Sequence, residues 1–187
     1  LILLCVAIAF ITGDLLIHNY YNSFSEALRF SSFQVASVMT TTGYATADYN
    51  NWSMFSKMIL ILIMFVGGCA GSTSGGLKVS RIFIAFKAMR CTFSRVLHPN
   101  GCYIVRMNQK KVEDQTVINV LAYFVIYLLI FATGLLIISL DGFDFGTTFS
   151  SVVTTLNNIG PGINMVGPVG NFSEFSDLSK ITFFFLM

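Results

Sequence analysis

Two polar stretches that contain glycine interrupt the apolar chain, TTTGY at residues 40–44 and NNIGPG at residues 157–162. Backbone that leaves a helix at membrane depth has unpaired N–H and C=O groups, and each unpaired group costs several kcal/mol. Such backbone is useful where its carbonyl oxygens replace the water around a dehydrated cation, and glycine permits the positive φ angles that align them. We therefore expect a cation-selective filter. The predicted filter residues are Thr41, Thr42, Gly43, Tyr44, Asn158, Ile159, Gly160 and Pro161.

Each loop on its own also fits two structural explanations. It could be a re-entrant turn packed for structural reasons, or an outer loop that uses the turn chemistry of Thr and Asn. Two loops that enter from the same side, each between two apolar spans, favour the filter over these alternatives. A short helix before each loop would also direct its partial negative C-terminal charge toward the same place.

A second unusual stretch, GGCAGSTSGGLK at residues 67–78, contains only small residues from Gly67 to Gly76. A nucleotide-binding P-loop is excluded because GxxxxGK[ST] spacing is required, whereas Gly76 is followed by Leu77 and Lys78. A helix-packing zipper is the alternative. We predict instead that glycine breaks the helix half-way through a span, which places a flexible gate just inside the filter. The predicted gate residues are Gly67, Gly68, Gly71, Ser72, Thr73, Ser74, Gly75 and Gly76.

The composition identifies a membrane protein, since 55% of the residues are hydrophobic and only 11% are charged. Val117–Leu140 contains no charged residue and would form a helix of about 36 Å at roughly 1.5 Å per residue, enough to cross a bilayer with some tilt. The chain begins on Leu1 without a basic segment or a cleavage site, so no signal peptide is expected.

The basic residues are concentrated in one connection, residues 78–111, which contains no acid. The positive-inside rule places this connection in the cytoplasm. A solvated patch that binds nucleic acid or anionic lipid is the competing interpretation; the apolar segments on both sides favour topology, and we expect no nucleic-acid partner. These basic residues are Lys78, Arg81, Lys87, Arg90, Arg95, Arg106, Lys110 and Lys111.

The pattern of segments occurs twice along the chain. Each copy has an apolar span, a shorter semi-apolar stretch, a polar loop, an outer connection and a second span. The short stretches, 25–39 and 145–157, are too short to cross a bilayer, so we expect half-helices that enter it and return as extended chain. The predicted division is a first unit at 1–90, a basic cytoplasmic connection at 91–116 and a second unit at 117–187.

An intramembrane enzyme is the rival class of function. The histidines are His18, at the end of a span, and His98, in the basic connection, and neither is placed to activate a nucleophile at mid-membrane. We therefore expect no enzymatic activity. A third interpretation is a non-conducting membrane anchor whose basic segment recruits a partner.

Three stretches carry a resemblance to a known family: VMTTTGYATADYNNW, MFVGGCAGSTSGGLKVSR, and NNIGPG followed by VGPVGNFSEFSDLSK. They resemble the Trk/Ktr/HKT superfamily of potassium transporters, most closely its bacterial TrkH-type subunits. The resemblance implies an all-α membrane protein in which four consecutive M1–pore loop–M2 units surround one pathway. This chain would supply the third and fourth units, with the last M2 shortened at Met187.

The resemblance also implies a function and partners. The expected function is K⁺ uptake across the bacterial plasma (inner) membrane by a multi-pass pore subunit, with no bound organic cofactor. Expected partners are the lipid bilayer, a second copy in a homodimer, and a cytosolic nucleotide-binding regulatory subunit. A Na⁺-coupled transporter of the Ktr type is the alternative, and coupling to Na⁺ or H⁺ stays open. K⁺ would be bound by Thr41, Thr42, Gly43, Asn158, Ile159 and Gly160.

Overall fold

The protein is mainly helical in a computed structural model, which describes residues 2–69, 71–72, 74–97, 106–107 and 110–187, with 110 and 111 described by their backbone. The helices are α1 (Ile2–Ile17), α2 (Phe24–Met39), α3 (Met54–Phe65), α4 (Val79–Leu97), α5 (Asp114–Ile138), α6 (Phe145–Leu156) and α7 (Asp177–Leu186). Short strands are β1 (Val66–Gly67), β2 (Leu77–Lys78), β3 (Arg106–Met107) and β4 (Lys110–Lys111). Single 3₁₀ turns occur at Tyr49–Asn51, Ser139–Asp141 and Asn164–Val166.

The helices pack as two similar groups of three. In the first group α1, α2 and α3 contact one another, and in the second α5, α6 and α7 do the same. One buried apolar cluster is centred on the first group, at Leu15 and Leu60, and extends to Val153 of α6, and a second lies in the second group, at Ile138 and Phe175. Helices α3 and α6 join the groups. The predicted all-α architecture of two span–half-helix–span units is confirmed.

The middle helix of each group is a half-helix. Helix α2 has 16 residues and α6 has 12, so at about 1.5 Å per residue both are shorter than the ~30 Å hydrocarbon layer. Helix α6 buries many Ser and Thr side chains, and most of their hydroxyls donate to carbonyls of the same helix. Thr155, for example, donates to the Ser151 carbonyl at 2.8 Å. A buried polar helix of this kind is stable inside protein, where its hydroxyls have partners.

One helix in the described part of the chain is long and apolar enough to cross a membrane, the stretch Asp114–Asp141. Only 17% of the most apolar stretch of this helix is buried, so most of its apolar surface faces outward. The neighbouring basic connection is partly helical, because α4 runs to Leu97 and α5 already begins at Asp114. Lys and Arg are good helix formers, so α4 continues past its apolar part.

An aspartate at the end of α1 ties that helix to the beginning of α3. Asp14 is buried, and its Oδ2 accepts hydrogen bonds from the hydroxyls of Ser53 and Ser56, the latter at 2.6 Å. Ser53 also caps α3 by accepting from the Ser56 amide at 3.2 Å. The carboxylate thus fixes the outer ends of both spans of the first unit.

The second unit repeats this connection with different residues. Asp141, after α5, accepts from the backbone amide of Ser176 at 3.1 Å, and Ser176 caps α7 by accepting from the Ser179 amide. The side chain of Ser176 is the main cause that holds the pKa of the Asp141 carboxyl below its usual value. An acid followed by Ser-x-x-Ser at the next span is therefore common to both units.

We predict that Asp14→Ala lowers the free energy of unfolding by about 2 kcal/mol, because it leaves two hydroxyls without their carboxylate acceptor in a buried place. Thermal unfolding of the full-length protein in detergent measures the change. Asp177→Ala is the matched control, since the Asp177 side chain is 99% exposed and pairs with Lys180 only at 3.9 Å. Its cost should stay below about 1 kcal/mol. Equal melting of the two variants would contradict the assignment.

Candidate functional site

Both half-helices end in the same backbone motif. Thr42 donates to the Ser37 carbonyl at 2.9 Å, and Ile159 donates to the Thr154 carbonyl at 2.8 Å. In both loops, the residue between the C-cap residue of the helix and the residue that donates this hydrogen bond has a left-handed backbone conformation. Its φ is 55° at Thr41 and 53° at Asn158. This is a Schellman ending, which glycine usually forms. A β-branched threonine in this conformation is strained, and such strain is concentrated at functional positions.

The repeat that the sequence shows is out of register with the repeat in the structure. The Phe-Ser-Ser triplets that begin at Phe30 and Phe149 suggest one alignment of the units. The two Schellman endings require an alignment shifted by two positions, because they match Ser37 with Thr154. Backbone geometry, and not the triplet, therefore relates the two units.

The two loops meet at a glycine. Gly43 has φ of +78°, and a Cβ placed on it would lie 2.1 Å from the carbonyl oxygen of Ile159 and 3.3 Å from Cδ of Pro161. Gly160 is also left-handed, with φ of +107°, and a Cβ there would meet nothing within 4 Å. Glycine at position 43 thus permits the close approach, while at position 160 it permits the backbone conformation.

Several carbonyl oxygens in the two loops are not used by the protein. Within the described residues, no backbone or side-chain donor reaches the carbonyls of a set of loop residues. That set is Thr41, Thr42, Gly43, Asn158, Ile159 and Gly160. By contrast, the Tyr44 carbonyl accepts from the Ser37 hydroxyl at 2.6 Å. The Tyr44 side chain is 73% exposed, so its ring does not take part in the contact between the two loops.

Side chains of the half-helices hold the returning extended chain. Gln34 is buried and donates to the Ala47 carbonyl at 3.1 Å. In the second unit the Ser150 hydroxyl accepts from the Ile163 amide at 3.0 Å. These contacts satisfy backbone groups that would otherwise be unpaired inside the protein. Each extended segment is therefore held against the half-helix that precedes it.

The outer connections join the two units through polar contacts that the sequence did not indicate. Tyr49 is fully buried and its hydroxyl donates to the Gly162 carbonyl at 2.8 Å. Burial, and to a lesser degree the charge of Asp48, raises the pKa of Tyr49 far above its usual value, so this donor keeps its proton. Asn50 and Asn164 form two hydrogen bonds, of 2.9 and 2.8 Å, between side chain and backbone.

Asn164 is anchored in turn by the residue that begins α6. Its Nδ2 donates to Asp144 Oδ2 at 2.8 Å, and the Thr147 amide donates to the same oxygen at 3.1 Å. The Thr147 hydroxyl is the main cause that lowers the pKa of Asp144. Because partners such as Asn50 and Asn164 are 114 positions apart, no local spacing in the sequence could reveal them.

The small-residue segment forms a loop between α3 and α4, and the two ends of this loop lie side by side. Helix α3 ends at Phe65 and α4 begins at Val79, and the strands β1 and β2 pair in parallel at the two ends of the loop. The Gly68 amide donates to the hydroxyl of Ser74 at 2.8 Å, and Ser74 is buried. Lys78 Nζ donates to the Ser72 carbonyl at 2.9 Å. Thr73, a predicted member of the gate, lies outside the described residues.

This small-residue loop touches the base of the second filter loop. A Cβ placed on Gly75 would lie 2.1 Å from the carbonyl oxygen of Asn157, the cap of α6. Gly76 has φ of +75°, and a Cβ there would lie 3.0 Å from the side-chain oxygen of the same asparagine. The small-residue segment and the second filter loop are therefore in direct backbone contact.

His18 does not take part in this site. His18 lies at the end of α1, where its Nε2 is 3.5 Å from Asp14 Oδ1. His98 lies outside the described residues. The described part of the site thus consists of backbone oxygens, hydroxyls and amides. Oxygen atoms of this kind can bind a cation without catalysing a reaction.

Comparison with known proteins agrees with this description. The family model for TrkH, a cation transport protein, matches residues 2–187. The Trk system potassium uptake protein TrkH of Salmonella typhimurium is 38% identical over 163 residues, which cover 87% of this chain and 33% of that protein. TrkI of Halomonas elongata, another Trk system potassium uptake protein, is 38% identical over 150 residues, or 80% of this chain and 30% of that protein.

The crystal structure of the potassium transporter TrkH from Vibrio parahaemolyticus has the same fold, with a TM-score of 0.89 and 32% identity. The match covers 100% of this chain and 39% of that chain. This chain therefore spans about a third of the length of the relatives it matches. The family match over nearly the whole chain, together with the fold, shows that this chain belongs to the TrkH family of cation transport proteins.

Proposed function

We propose that this chain forms two pore units, the third and fourth, of a four-unit potassium uptake protein. The observation that supports this function best is the set of six carbonyls in two touching loops that no donor in the described residues reaches. A cation that sheds its water needs several oxygens at once, and unpaired backbone carbonyls supply them. The relatives named above are potassium uptake proteins, which supports K⁺ as the ion.

The proposed K⁺ ligands are the backbone oxygens of the two loops. The half-helices α2 and α6 end directly before Thr41 and Asn158, so the partial negative charge of each C-terminus adds to the carbonyl dipoles. Two of four loops cannot surround an ion, so conduction needs the other two units of the complete transporter. No catalytic role is proposed, because the relatives are transport proteins.

We propose that the small-residue segment is the gate of this pathway. It interrupts the span formed by α3 and α4 and lies against Asn157, directly below the second filter loop. Among the described residues, its internal hydrogen bonds include those from the Gly68 amide to Ser74 and from the Ser74 amide to Ser72. We propose that a modest free energy separates the seated loop from a displaced one. Displacement of the loop would open the route to the cytoplasm.

The remaining assignments are proposals that follow from family membership. The complete protein would be a multi-pass protein of the bacterial inner membrane, a homodimer, and the partner of a cytosolic nucleotide-binding subunit. The division at residues 90 and 116 stays a prediction, as does the cytoplasmic side of the basic connection.

We predict that Gly43→Ser lowers the K⁺/Na⁺ selectivity of the full-length transporter by about tenfold, which corresponds to ~1.4 kcal/mol. The added Cβ would collide with the Ile159 carbonyl and force the two loops apart. Growth of an uptake-deficient strain on limiting K⁺, and inhibition of K⁺ uptake by Na⁺, measure the effect. Gly160→Ser should act in the same direction through its positive φ.

The matched control for this prediction is Gly142→Ser. Gly142 has φ of +75°, close to that of Gly43, but a Cβ there meets nothing within 4 Å. It should therefore cost about 1 kcal/mol of stability and leave selectivity unchanged. If Gly43→Ser and Gly160→Ser both keep the selectivity of the control, the filter assignment is wrong.

We predict that Ser74→Ala increases K⁺ flux through the full-length transporter reconstituted without its regulatory partner. The change removes the acceptor of the Gly68 amide and loosens the seated loop, so flux should rise up to about fivefold at unchanged selectivity. Ser32→Ala is the control, because Ser32 bonds only within its own helix, to the Arg29 carbonyl at 3.1 Å. Equal flux in both variants would argue against the gate.

A further inference from the structure

We propose that the small-residue segment, when it closes the pathway as a loop, rests on the carboxamide of Asn157. We call this carboxamide the seat of the loop, and we propose that Tyr127 holds it in position. The inference rests on the proposed function, since it concerns regulation of the same pathway. Asn157 is fully buried, and its side-chain oxygen accepts from the Tyr127 hydroxyl at 2.9 Å. Tyr127 is itself only 6% exposed, and it lies on α5, outside the filter and the loop.

The loop rests on Asn157 through two glycines. Gly75 faces the backbone carbonyl of Asn157, and Gly76 faces its side-chain oxygen, both at distances that exclude or compress an added methyl group. By contrast, Gly71 in the same loop is exposed, and a Cβ there meets nothing within 4 Å. The requirement for glycine is therefore strongest where the loop meets Asn157.

The side-chain nitrogen of Asn157 indicates that this contact is a movable one. Within the described residues, Nδ2 has no hydrogen-bond acceptor, although the atom is buried. A buried donor without a partner destabilises the arrangement that contains it. The seated loop thus carries a built-in penalty, which displacement of the loop would relieve by admitting water to the amide.

Asn157 is also continuous with the filter. Its backbone amide donates to the Val153 carbonyl at 3.1 Å, and the next amide, of Asn158, donates to Thr155 at 3.0 Å. Asn158 and Ile159 follow directly and carry two of the unpaired carbonyls. Tyr127 therefore holds a residue that contacts the loop on one side and begins the filter on the other. Such a residue can set the ratio of closed to open gates without binding the ion.

The test measures K⁺ flux through the full-length transporter in liposomes, with and without its regulatory partner, together with K⁺/Na⁺ selectivity. Tyr127→Phe removes one hydrogen bond from Asn157, and Gly75→Ala inserts a methyl group against the Asn157 carbonyl. Each should raise flux without the partner about fivefold, while selectivity stays the same. Because both act on one seat, the double variant should show less than the product of the two effects.

Each variant has a control outside the filter and the small-residue loop. Gly13→Ala adds a methyl group in open space on α1, and Tyr123→Phe removes a hydroxyl one turn earlier than Tyr127 on α5. Both should keep the flux of the unmodified protein. If Gly75→Ala fails to accumulate in the membrane, Tyr127→Phe alone decides the outcome.

Two results would overturn this proposal. In the first, Tyr127→Phe and Gly75→Ala behave as their controls do. In the second, they lower selectivity without raising flux, which would make Asn157 a structural part of the filter. If Ser74→Ala raises flux while these variants do not, the gate stands and only the seat at Asn157 is wrong. If none of the three changes flux, the gate itself is wrong.

Discussion

The structure depends on the rule that backbone inside a membrane protein must find hydrogen-bond partners. The chain leaves the helix after α2 and α6, and most of the freed groups are then satisfied by the Schellman endings and by side chains such as Gln34 and Ser150. Within the described residues, no donor reaches the carbonyls of six loop residues, and the two loops that carry them meet at Gly43 and Ile159. We propose these oxygens as the ligands of a dehydrated cation.

Contacts between the units place these loops relative to each other. Tyr49 and Asn50, from the first outer connection, bind the backbone of the second loop at Gly162 and Asn164. The aspartate–serine connections at Asp14 and Asp141 fix the outer ends of the spans. The loops are thus held from the outer side, while the small-residue segment touches the second loop from the opposite side. Within that segment, Gly75 and Gly76 pack against Asn157, whereas Gly71 is exposed.

Much of the fold was predictable because it rests on local chemistry. Hydrophobic length identified α5, the shortness of the polar-ended segments identified the half-helices, and the run of glycine identified the end of α3. Helix ends were predicted less well: α4 continues to Leu97 because its basic residues favour helix. The Phe-Ser-Ser triplets lie 13 residues before Gly43 and 11 before Gly160, so the sequence already shows an imperfect repeat, and the Schellman endings follow the glycines. The side chains on a helix surface therefore constrain the alignment of the two units less than the backbone geometry at the end of the helix does.

Local features of the sequence were sufficient to predict the membrane setting, the two-unit plan and the positions of the two polar loops, since composition, segment length and glycine act over short stretches of chain. Only the packing of the helices brings Gly43 to Ile159, Tyr49 to Gly162, and Asn157 between Tyr127 and Gly75. Each of these contacts joins residues far apart in the chain. Their distances are set by how whole helices pack, and no local pattern of residue types encodes that packing.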